Sequence, residues 1–247
     1  MREKYTWRII LIFFTVIWSE GLLLSQGTDY KRIFGSDWEK AEAFVGNNES
    51  WMKQFSVTYN VSYPEAVAII FPELIRYSSL RDKMEITLLK TLYIYHGDDY
   101  ADFSIGQFQM KPSFAESVHK KVPLLRGKLR NQFKERTRYN DSRKYRASVV
   151  RDLEQPESQF LYLIAFIKIC ETIYNLKYMD EDHRLKFLAT AYNYSFLKSF
   201  EEVNETIGKR FFYTKLVKTE TYSYSDISAY WYSNYQNNKS GVSKANF

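Results

Sequence analysis

Apolar residues recur three and four positions apart through most of residues 26–247, and two-residue alternation is scarce, so the chain predicts a mainly α fold. Asn48 or Ser50 can cap a helix running to about Tyr59. Pro64 stands where proline is tolerated, at the first position of a second helix over 64–71. Pro72 then predicts a kink or an end, which sets Glu73 at a break rather than mid-helix. Further on, Phe160, Leu161, Leu163, Ile164, Phe166, Ile167 and Ile169 form a face broad enough for a buried central helix. Residues 184–194 repeat the pattern in shorter form, and 226–235 predict an aromatic-rich closing helix. No Pro/Gly/Ser-rich linker or internal repeat interrupts the chain, and the Ser/Tyr-rich patch at 219–228 is short, so one domain is expected.

The N-terminus breaks this pattern. Arg2, Lys4 and Arg8 precede an apolar run over 9–18, followed by Ser19-Glu20-Gly21 and then Leu22-Leu23-Leu24-Ser25. A basic start, a short apolar run and small residues at Gly21 or Ser25 predict a cleaved secretory signal. Glu20 interrupts the run well short of the roughly 20 residues a membrane-spanning helix needs. No cysteine follows, so lipid attachment at a new N-terminal cysteine is not expected. The expected organisation is a signal peptide at 1–25, a helical extension at 26–54, the main domain at 55–235 and a polar tail at 236–247, in a protein exported to the periplasm or cell envelope.

Composition narrows the chemistry. Of 247 residues, 45% are hydrophobic and 26% charged, with only 9 Gly and 5 Pro, which excludes disordered and collagen-like chains. The lone Cys170 rules out an intramolecular disulfide framework, and His96, His119 and His183 are too scattered to predict a metal site, so no metal and no cofactor is expected. The net charge is +6. Residues 120–151 hold twelve Lys and Arg against Glu135 and Asp141. That stretch reads either as a solvated helical face or as a flank that concentrates an anionic extracellular polymer. Export argues against nucleic acid as the partner.

Four segments follow one another in a telling order: Ile70-Phe71-Pro72-Glu73, Ser104-Ile105-Gly106-Gln107-Phe108-Gln109-Met110-Lys111-Pro112, Gln155-Pro156-Glu157, and Ala191-Tyr192-Asn193. In this order the chain resembles the lysozyme-like lytic transglycosylases of the soluble type, which cleave peptidoglycan glycan strands. Their pattern is a catalytic glutamate at a helix end, Gly-Leu-Met-Gln-x-x-Pro, a helix opened by Pro-Glu, and Ala-Tyr-Asn. Gly106, Gln109 and Pro112 match the second motif at identical spacing. Ala191, Tyr192 and Asn193 match the last outright. The resemblance implies a lysozyme-like domain, peptidoglycan as the partner, and membrane contact only through the signal. Three departures stand out. Leu74 follows Glu73 where the family usually has serine. The stretch between Glu73 and Gly106 is longer and carries an apolar segment at 84–95 that predicts an extra helix or lid. Tyr194-Ser195 follow Asn193 where a small residue and then glycine are common.

Physically, cleaving a glycosidic bond needs a proton delivered to the leaving oxygen, and a carboxyl keeps one near neutrality only if its pKa is raised. Ile69, Ile70, Phe71 and Leu74 offer Glu73 an apolar wall that does this. Gly106 would let backbone approach a sugar, and Gln109 carries both donor and acceptor. Tyr192 and Asn193 would orient carboxyl and substrate, and Phe108 is a candidate cleft liner. Pro156 and Glu157 read as a helix start. The mechanism implied by the resemblance uses Glu73 alone, first as acid and then as base, to form a 1,6-anhydro muramyl product. Two rivals share these residues. One is a goose-type-like muramidase in which Asp98, Asp99 or Asp102 activates water. The other is an inactive peptidoglycan-binding scaffold. Glu73 in bulk water would favour the scaffold; Glu73 in an apolar pocket beside Tyr192 would favour the enzyme.

Overall fold

The computed structural model describes residues 28–79, 83–214 and 220–244; the expected signal segment lies outside them. Residues 28–35 form a small unit of their own. There α1 (Tyr30–Phe34) is capped by Asp29, whose carboxylate accepts from the Arg32 N–H at 3.1 Å, and ends at Gly35 in a positive-φ conformation. The second unit begins at Ser36. No described helix is long and apolar enough to cross a membrane.

The second unit is mainly α, as expected. Helix α2 (Ser36–Thr58) opens with Asp37 and Glu39 in its first turn, where acids favour the helix dipole. It begins well before the predicted cap. Asn48 does not cap: its amide donates to the Phe44 carbonyl at 2.8 Å and its oxygen accepts from the Trp51 indole at 2.9 Å. Trp38, Ala41, Val45, Met52 and Ser56 form a buried stripe that holds the helix through Gly46-Asn47-Asn48. The helix ends where Asn60 turns left-handed (φ 52°) and the Val61 N–H reaches back to the Ser56 carbonyl at 2.9 Å. The expected boundary at 54/55 therefore falls inside a helix, and the chain parts after Gly35 instead.

Helix α3 (Tyr63–Ser79) departs most from expectation. It continues through Pro72, so Glu73 sits mid-helix. A mid-helix proline removes one backbone donor and crowds the preceding turn, costing about 3 kcal/mol. Burial offsets this: residues 66–71 are all fully buried, and the Tyr224 hydroxyl donates to the Ile69 carbonyl at 2.9 Å in the turn before the proline. The predicted central helix is the eighth in chain order. Between it and α3 come α4 (Lys83–His96), α5 (Pro112–Lys120), α6 (Gly127–Arg136) and α7 (Ser142–Leu153). Helix α8 (Pro156–Ile173) starts at Pro156 with Glu157 in the first turn, and buries nearly every side chain from Gln159 to Cys170. It packs against α2, α3, α5, α7 and α9 (Glu181–Asn193).

Helix α10 (Phe200–Asn204) carries a capping box between Ser199 and Glu202. A short antiparallel hairpin, β1 (Arg210–Phe212) and β2 (Tyr222–Ser223), leads into α11 (Tyr224–Lys244), which packs on α3 and α9 and runs past the expected end of the domain at 235. The predicted extra helix is α4. It packs on α7, whose Arg146 donates to the last-turn carbonyls of Ile94 and Tyr95 at 2.9 and 3.1 Å. The histidines serve structure in two places. His119 is bonded through both ring nitrogens to the Tyr145 and Tyr162 hydroxyls, each at 2.8 Å, and burial pushes its pKa down to about 4. His183 bonds Asn204 at 2.7 Å.

Candidate active site

Glu73 lies two-thirds of the way along α3 with only 4% of its surface exposed. Its Oε2 has no hydrogen-bond partner. The nearest countercharge is one turn on, where Arg76 Nη1 stands 3.7 Å from that oxygen. Burial raises the carboxyl pKa to about 7, with Arg76 and then Lys111 pulling the other way. The group is therefore poised to exchange a proton near neutrality.

Three other elements close around it. From α9 comes Tyr192, whose hydroxyl donates to the Phe108 carbonyl at 2.8 Å. From the start of α11 comes Tyr224, its ring 6.4 Å from that of Tyr192. Both phenols are pushed far above their usual pKa, mainly by burial and further by the Glu73 charge, so both stay neutral. The hairpin supplies Phe212, edge-on to Tyr224 at 5.0 Å, and beyond it Tyr213. The Arg76 guanidinium sits over both of these rings, 5.7 Å from Phe212 and 5.0 Å from Tyr213. The hairpin thus holds the cation that faces Glu73. Leu74 is 3% exposed and packs inward, so the position after the glutamate supplies packing where the family's serine would supply a hydroxyl.

The Gly106 motif forms a tight loop closed by a bridge between Ile105 and Met110, with backbone bonds of 2.8 and 3.1 Å. Gly106 is required there. Its φ is +68°, and a Cβ would meet the Leu153 carbonyl at 2.5 Å and the Gln159 amide at 2.7 Å. Gln159, fully buried, holds the loop by donating to the Ile105 carbonyl at 2.6 Å and accepting from the Phe108 N–H at 3.1 Å. Gln109, also left-handed (φ 46°), turns its amide back onto the Gly106 carbonyl at 2.9 Å. Phe108 does not line a cleft. It is fully buried, edge-on to Phe44 and Phe160, because the loop must anchor in the core to present Tyr192 with an acceptor. Asn193 ends α9 with its amide nitrogen buried and without a hydrogen-bond partner.

The aspartates before this loop have other duties. Asp102 pairs with Lys111 at 3.2 Å and accepts from the Ser113 N–H at 3.3 Å at the start of α5. The Asp98 charge raises the pKa of the Tyr93 and Tyr145 phenols, and Asp99 is exposed. Sequence reasoning singled out Glu73, Gly106 and Tyr192 but missed Arg76, Gln159 and Tyr224. Tyr224 was hidden in the Ser/Tyr-rich patch, and its helical start was the available signal. A separate cavity of about 390 Å³, lined by Tyr59, Leu125, Arg126 and Lys168 among others, holds neither Glu73 nor its neighbours. Among the described residues, no group of three or more His, Cys, Asp or Glu could hold a metal ion. No family model matches the chain, and no match was found among curated proteins or solved structures.

Proposed function

We propose that the chain is a lysozyme-like peptidoglycan lytic transglycosylase, exported to the cell envelope, with Glu73 as its one acid and base. The observation that carries this reading is a buried glutamate with a pKa of about 7 on which, among the described residues, two cations act, Arg76 and Lys111. Glu73 gives its proton to the oxygen leaving the MurNAc-GlcNAc bond. The resulting carboxylate, stabilised by Arg76, takes the proton of the muramyl C6 hydroxyl as that oxygen bonds to C1. Atoms balance without water. The neutral walls of Tyr192 and Tyr224 keep the carboxyl from ionising early.

Hydrolysis would need a second carboxylate at a set separation, and Asp102, the aspartate tied to Lys111, is already committed to an ion pair and a helix cap. Digestion of purified sacculi tests the proposal: wild-type protein should release anhydro-muropeptides, lighter by one water than hydrolysis products. Glu73→Gln should slow release by about two to four orders of magnitude. Asp98→Asn, Asp99→Asn and Asp102→Asn should each stay within about tenfold of wild type. Reducing-end products would establish the muramidase, and no product at all would leave the scaffold.

A further inference from the structure

The cavity of about 390 Å³ that lies apart from Glu73 is enclosed by the end of α2, the turn leading into α6 and the last turns of α8. Its volume is in the range of small-molecule sites. Local backbone events build it. Helix α2 gives way at the left-handed Asn60, and a turn of 3-10 helix (Val122–Leu124) carries the chain to Leu125. Arg126 is then extended (φ −128°, ψ 160°) and Gly127 left-handed (φ 54°), and α6 starts there, so that Arg126, Lys128 and Leu129 all line the cavity.

Most polar groups of the lining are already engaged. Lys168 Nζ donates to the Asn60 carbonyl at 2.8 Å and to Glu171 Oε2 at 2.9 Å, while Glu171 Oε1 accepts from Arg184 at 3.0 Å. The one carboxylate of the lining therefore has a cation on each oxygen. The Thr58 and Thr172 hydroxyls donate to the Gln54 and Lys168 carbonyls at 2.7 and 3.0 Å, and the Tyr59 hydroxyl donates to Gln132. Arg126 and Lys128 differ. Among the described residues neither side chain has an ion pair or a hydrogen bond, and no acid stands in the first turn of α6. Beside them Leu125 and Leu129, 2% and 5% exposed, make that part of the lining apolar.

Two unmatched cations next to an apolar lining suit a ligand with an anionic head and an apolar body. Charge selects the head. A carboxylate brings one negative charge and leaves one cation unmatched, whereas a phosphate monoester carries about −1.5 to −2 near pH 7 and matches both. Inorganic phosphate would meet the cations but cover none of the leucine surface.

We infer that this cavity binds an organic phosphate monoester, with the phosphate against Arg126 and Lys128 and the organic group on Leu125 and Leu129. The site is independent of the Glu73 reading and stands or falls by its own test.

That test is calorimetric titration of the full chain with phenyl phosphate at low salt, with inorganic phosphate, benzoate and phenol as comparison probes. Phenyl phosphate should bind, and each comparison probe should bind at least about tenfold more weakly. Arg126→Gln and Lys128→Gln should each weaken phenyl phosphate binding at least about fivefold. Lys134→Gln, which removes an exposed cation of the same helix outside the cavity, should bind as wild type does. Arg126 and Lys128 are exposed, so urea midpoints should not move, which separates lost binding from lost folding. Failure to bind phenyl phosphate overturns the site, as does unchanged affinity in both cavity variants. Benzoate or inorganic phosphate binding as tightly as phenyl phosphate overturns the assigned ligand class. An equal loss in Lys134→Gln would mean a diffuse positive field and overturns the site as well. Co-sedimentation with phosphatidylcholine vesicles containing phosphatidic acid, lost in the Arg126→Gln/Lys128→Gln double variant, would name a lipid as the source of the monoester; phenyl phosphate binding without vesicle binding names a soluble ester.

Discussion

Replacing Glu73 by Gln should flatten part of the protein's stability-pH curve, whether or not the protein turns over any substrate. The carboxyl titrates at 4.5 when the chain is unfolded and at about 7 when folded. Between those values the folded state binds more protons than the unfolded state, so stability falls as pH rises. The contribution of neutral Glu73 is fully present below 4.5 and gone above about 7. A shift from 4.5 to about 7 corresponds to about 3 kcal/mol. Gln is neutral and of the same shape, so it lacks this dependence. Any fixed cost of burying its amide beside the unpartnered position shifts the whole curve without bending it. Urea unfolding of both proteins from pH 4 to pH 8 isolates the effect, because every other titrating group is common to the two. The stability of Glu73→Gln relative to wild type should rise by about 3 kcal/mol across that range. Parallel curves, with the difference constant to within about 0.5 kcal/mol, would refute a desolvated carboxyl and remove the chemical basis of the proposed mechanism.

Arg76→Gln removes the cation 3.7 Å from Glu73, so under the proposed mechanism, in which loss of the Glu73 proton near 7 sets the alkaline limb of sacculus cleavage, that limb should move upward by about one pH unit, with Arg76→Lys restoring it. An unmoved limb would show that the guanidinium only packs on Phe212 and Tyr213. Gly106→Ala drives a Cβ into the Leu153 carbonyl at positive φ and should destabilise the fold by about 2 to 4 kcal/mol, read as a lowered urea midpoint. Binding to sacculi should weaken between low salt and about 0.1 M, where screening reaches about 10 Å, if the basic residues of 120–151 engage anionic wall. Salt-independent binding would make that stretch a solvated face.

Much of the helical framework is legible in the sequence because helix periodicity and capping are local. The buried face of α8, the proline at its start and the closing aromatic helix follow from residues three and four apart. Local rules failed at Asn48 and at Pro72. Each carries a residue that disfavours helix in isolation, yet tertiary contacts outweigh it: the Trp38–Met52 face in one case, full burial of 66–71 in the other. The candidate acid was legible as a glutamate beside apolar neighbours, and Gly106 as a spacing. Neither pattern could say that Phe108 would turn into the core or that Asp102 would be taken by Lys111. Nor could it bring in Tyr224, which meets the Ile69 carbonyl from 155 residues away. The chain order thus determined which groups were available, while folding decided which of them share low-dielectric space with Glu73. A pKa belongs to that shared space, since desolvation and nearby charge depend on distances through the fold and not along the chain.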